Sequence, residues 1–76
     1  MVFLKGDFMN KIVTIREKEI FDLLILNNTT RDISKKLNIS EKTVRNHISN
    51  VMQKLGVKSR SQAIIELLKL NIIKLN

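Results

Sequence analysis

Five polar side chains in one short run could act together. In "ISEKTVRNHISNVMQKLG", residues 39–56, Lys42, Arg45, Asn46, Ser49 and Gln53 fall at i, i+3, i+4, i+7 and i+11. That spacing lines them up on one side of an α-helix. Arginine offers a rigid fork of N–H donors, and asparagine offers a donor beside an acceptor. The major groove of a DNA duplex shows the matching edges: two acceptors on guanine, and an acceptor next to a donor on adenine. Arg45 and Asn46 are the residue types that fit those edges. Ser49, one turn on, is short enough to let a helix sit close, and Lys42 can reach a base edge or a phosphate.

Residues bordering this stripe suit the sugar–phosphate chain. Thr29, Thr43, His47, Asn50 and Lys54 flank it, and Lys58 and Arg60 follow just past Gly56. Contacts of that kind fix register and supply salt-dependent affinity without reading sequence. The charge agrees. The chain carries +7, and residues 30–60 hold eight Lys and Arg against Asp32 and Glu41, a polyanion footprint. Each of these residues also has a plainer use. A single lysine solubilises, Thr29 and Ser59 are helix caps on any reading, and His47 sits where it could pack inward.

A stripe of this kind needs elements to hold it. No proline occurs, no glycine interrupts residues 7–55, and apolar residues recur at helical spacing, which predicts an all-α domain of four helices. The first starts at Thr14, with Glu17 completing a capping box, turns Ile20, Leu23 and Leu24 inward with Phe21 beside them, and stops near Asn27-Asn28. The second starts at Thr29 with Asp32 as box partner, turns Ile33 and Leu37 inward and stops at Asn38. Ser40 caps the third, whose inner face is Val44, Ile48, Val51, Met52 and Leu55 and which ends at Gly56. Two helices separated by three residues have helix-turn-helix spacing, here residues 30–49. Ser59 and Gln62 form the start signal of the fourth helix. That helix, "AIIELLKLNIIKL", is apolar on more than one side. Ala63, Ile64 and Leu67 can face inward, leaving Ile65, Leu68 and Ile72 as the expected surface for a second copy of the chain.

Composition narrows the function classes. Seventy-six residues make one domain, and the absence of cysteine removes disulfides and thiolate metal sites. One histidine does not build a metal centre. No apolar run is long enough to span a bilayer. An enzyme finds little support, since there is no thiol nucleophile, metal cluster or phosphate-cradling glycine loop. Cofactors, small-molecule ligands and membranes are not expected partners. A helix-turn-helix adaptor that binds protein through its apolar end is the alternative from another class.

The run "TIREKEIFDLL…TTRDISKKLNISEKTVRNHISNVMQKLGVKSRSQAI" resembles the LuxR/GerE-type DNA-binding domain. The hallmark residues stand at Ile39 to His47, Asn50, Lys54 to Val57, Arg60 and Ala63, and the likeness extends over about residues 13–70. It implies a domain over residues 13–76 that follows an N-terminal extension, 1–12. It further implies a third helix that reads bases through Arg45, Asn46 and Ser49, with Lys42, while Thr43, His47 and Asn50 hold phosphates. The fourth helix would join a homodimer on paired half-sites of double-stranded DNA. Within the family the run looks most like stand-alone members that regulate spore-coat genes late in sporulation, as activator or repressor, in the cytoplasm of the mother cell; an activator would also meet RNA polymerase. The output domain of a longer LuxR-type regulator is the alternative within the family, which the chain's length and its initial Met1 make less expected. One departure is Asn27, where much of the family has glycine before the second helix.

Overall fold

The computed structural model describes residues 12–75. Apart from Ile12, which packs against the core, the expected extension lies outside the described residues. Among the described residues there are four helices and no strand: α1 (Ile15–Ile25), α2 (Thr30–Leu37), α3 (Glu41–Leu55) and α4 (Arg60–Lys69).

Each helix starts on a hydroxyl and stops on a left-handed residue. Thr14, Thr29, Ser40 and Ser59 accept the N–H three residues on through their side chains, which satisfies a donor that the helix cannot. The first two are full capping boxes, with Glu17 and Asp32 reaching back to the cap N–H. The fourth is not the expected box. The Gln62 Oε1 accepts from the N–H of Lys58, one residue before the cap, at 2.9 Å. At the other ends, Asn27, Asn38, Gly56 and Asn71 all have φ between 57° and 69°. Asparagine and glycine adopt that conformation at small penalty. The next residue's N–H then folds back onto the last turn: Asn28 to Leu23, Ile39 to Ser34, Val57 to Met52 and Ile72 to Leu67, at 3.0–3.1 Å.

The fourth stop changes the C-terminal reading. The sequence suggests a helix running through Ile72, with that side chain facing outward. Instead α4 ends at Lys69, Asn71 turns the chain, and Ile72 and Ile73 are 3% and 2% exposed. Ile72 is therefore core, not a dimer surface. Burying each isoleucine is worth about 1.5–3 kcal/mol, which a straight helix with its last turn in water would forgo.

α3 is the hub and packs on α1, α2 and α4. Its Val44, Ile48 and Val51 meet Ile20 and Phe21 of α1, Ile33 of α2, and Ala63 and Leu67 of α4 in one cluster. Since all three neighbours lie on α3's inner side, its outer face is left to solvent.

Candidate nucleic-acid interface

α3 has 15 residues, so it is about 22 Å long at 1.5 Å per residue. Along its outer face Lys42, Arg45, Asn46, Ser49 and Gln53 are all exposed. Among the described residues none of them bonds another side chain. The four side chains expected to read bases thus stand together, with their donors and acceptors uncommitted. From Lys42 to Ser49 they span about 10 Å of helix, less than the roughly 12 Å width of the DNA major groove.

The expected phosphate-binding residues divide into three sets. Asn50, Lys58 and Arg60 are exposed, the last two in the link that leads from Gly56 into α4. Thr29, which is exposed, lies with Thr43 and His47 at the margins. Thr29 is engaged in the α2 cap, and the Thr43 hydroxyl accepts from Ser40 at 2.9 Å. His47 is half-buried. Lys54 stands apart from both sets. Its Nζ pairs with the Glu17 carboxylate across the α1–α3 contact, at 2.5 Å. Sequence reading took Glu17 for a cap only, because an ion pair between residues 37 positions apart leaves no local trace.

Further cations on α2 add to the basic side of the molecule. Arg31, Lys35 and Lys36 are exposed, and Lys36 donates to the Asn28 side chain at 2.8 Å. The spacing of Arg31 and Lys35, one turn apart before the linking turn, was the available signal for a second basic stripe.

Two carboxyl groups titrate below their ordinary range. Burial pushes the Glu17 carboxyl up, but the hydrogen bonds from Lys54 and from the Thr14 N–H, with the Lys54 and His47 charges, outweigh it and hold the group low. The Thr29 N–H, and secondarily its hydroxyl, lower Asp32.

Of the expected dimer residues, Ile65 is 50% exposed and Leu68 is half-buried against the core. A shallow groove beside Ile65 is lined by Gly56, Val57, Lys58, Gln62 and Glu66.

Comparison with known proteins agrees with this geometry. The family model described as bacterial regulatory proteins, luxR family, matches residues 11–67. The chain is 57% identical over 70 residues to the spore germination protein GerE of Bacillus subtilis (strain 168), covering 91% of this chain and 95% of that protein. It is 44% identical over 63 residues to the transcriptional regulatory protein DegU of Brevibacillus brevis, covering 83% of this chain and 27% of that protein. A solved structure of the transcription factor GerE superposes with a TM-score of 0.84 at 62% identity, over 86% of this chain and 97% of that one. The chain belongs to the LuxR family of bacterial regulatory proteins, the DNA-binding regulators of transcription.

Proposed function

We propose that this regulator reads its operator with the outer face of α3. Lys42, Arg45, Asn46 and Ser49 would meet base edges, and Thr29, Thr43, His47, Asn50, Lys58 and Arg60 would meet phosphates. One observation carries the reading: the four central side chains are exposed, neighbouring and unengaged on the helix that every other helix packs behind. A helix-turn-helix lays its second helix in the major groove with the first across the backbone. α2 and α3, joined by residues 38–40, have that arrangement. The Arg31 and Lys35 side chains of α2 then stand beside the duplex backbone.

The working form is a homodimer joined through α4 around Ile65 and its groove, with Leu68 at the margin. The likeness to GerE supports a role in late sporulation, with spore-coat genes as targets and both activation and repression as outcomes. The protein would act in the cytoplasm of the mother cell, at the nucleoid, and activation would further require a contact with RNA polymerase.

Fluorescence anisotropy with a duplex selected by the protein from a random pool, and with an unselected duplex, tests the reading. Arg45→Ala should weaken the selected complex by about 1–3 kcal/mol and relax preference at one base position. Equal loss on both duplexes would make Arg45 a phosphate contact and remove α3 as the reader.

A further inference from the structure

Among the described residues Glu17 is the one buried charged side chain, 3% exposed. Its Oε1 accepts twice, from the Thr14 N–H at 2.8 Å and from the Lys54 Nζ at 2.5 Å. The first bond closes the α1 cap. Capping does not explain the burial, since the Thr29–Asp32 box on α2 does the same at the surface. The second bond joins α1 to α3 near the end of the exposed stripe, beside Gln53. A carboxylate taken out of water must stay paired, so Lys54 cannot turn to a phosphate without leaving that charge uncompensated.

Around the pair, Ile20 and Phe21 share one apolar cluster with Val44, Ile48 and Val51, and among the described residues the only other charge acting on Glu17 from α3 is that of His47. Apolar attraction is not directional and tolerates a small slide or roll of one helix on another. Base readout does not, because a bonding constellation must be held to about 0.5 Å. A directional charge pair near one end removes that freedom.

We propose that Lys54 is not a phosphate ligand but a positioning residue, and that with Glu17 it forms a strut fixing α3 against α1 and thereby setting base preference. The inference rests on α3 being the reading helix.

Two variants of the full chain test it: Glu17→Gln, which keeps the acceptor for Thr14 and removes the charge, and Lys54→Gln. Each is titrated against the selected and the random duplex over a range of salt, at a temperature where circular dichroism shows it folded. Both should lose about tenfold on the selected duplex, the worth of one misaligned bidentate base contact. Affinity for the random duplex should stay within roughly twofold, with the salt slope unchanged. Three results would overturn the proposal: Lys54→Gln losing on both duplexes with a slope lower by about one, Glu17→Gln gaining on both because a competing carboxylate has gone, or neither variant changing anything. Should Lys54→Gln not fold, Glu17→Gln decides by the same criteria. Arg45→Ala, run alongside, separates the two levels. Full preference in that variant would mean that α3 does not read bases, whatever the strut does.

Discussion

α3 and α4 are built alike and end in different chemistry. Both begin on a serine cap, both send an apolar stripe into the same core, and both leave a few side chains without a partner among the described residues. On α3 the remainder is polar and cationic: Lys42, Arg45, Asn46 and Ser49. On α4, past the polar first turn that holds Arg60, it includes an exposed apolar side chain, Ile65, beside a shallow groove. A donor-rich remainder on a protein of net charge +7 calls for a polyanion with hydrogen-bonding edges. An apolar remainder calls for another apolar surface. In the proposed function the two helices would divide the work, α3 towards DNA and the Ile65 face of α4 towards a second copy.

The sharpest way to break that division is at the end of α4, where Ile65 and Ile72 look equivalent in sequence and are opposite in structure. Ile72→Glu should place an uncompensated charge in the core and cost about 3 kcal/mol or more. A domain of this size has on the order of 4–11 kcal/mol in hand, so much of it would unfold well below the wild-type melting temperature. Ile65→Glu should leave melting nearly unchanged in solutions dilute enough to hold monomer, while weakening self-association by about 2 kcal/mol or more, seen as a shift to monomer in sedimentation. If Ile65→Glu still sediments as a dimer, the α4 face is not the interface and the contrast with α3 is lost.

Much of this fold was legible in the chain because its signals are local. Four hydroxyl caps, three of the four left-handed stops and the inner face of α3 all follow from residues within one or two turns of each other. Asn71 belonged to the same class of signal. "LNI" ends α2 at Leu37–Ile39 and recurs at Leu70–Ile72, but the apolar run around the second copy reads as continuing helix. Gln62 was misassigned because two backbone N–H groups lie within its reach, and type alone does not say which it takes. The exposed stripe was legible because periodicity settles which side is out once the other side is filled. The Glu17–Lys54 pair was not, since periodicity gives a helix its faces but not which acid will meet which base across a helix contact.

That pair distinguishes the two sides of α3 by pH. The Glu17 carboxyl is held below its ordinary value of about 4.5 in the folded chain. Its contribution to stability is therefore complete above that value and is lost as pH falls through the lowered one. Urea unfolding at neutral pH and near pH 3 should show a smaller acid loss for Glu17→Gln than for the wild type. Asp32 keeps its own share in both proteins. Equal losses would mean that the strut gives no net stability and that the inner side of α3 is held by apolar contact alone.

The smallest effect sharpens the end of α4. Asn71 has φ 59°, and its N–H bonds Leu68 O while Ile72 closes on Leu67 O. Asn71→Ala keeps both N–H groups and the β-carbon but loses the short polar side chain that eases asparagine into the left-handed region, at a penalty of about 1 kcal/mol. Asn71→Gly removes that penalty and gives back a few tenths to the unfolded chain's greater freedom, so its melting should lie within a few tenths of a kcal/mol of wild type. If both variants melt together, Ile72 and Ile73 are held inward by burial rather than by the turn. The structural difference between Ile65 and Ile72 would then be a matter of apolar packing alone, with the asparagine merely permitting it.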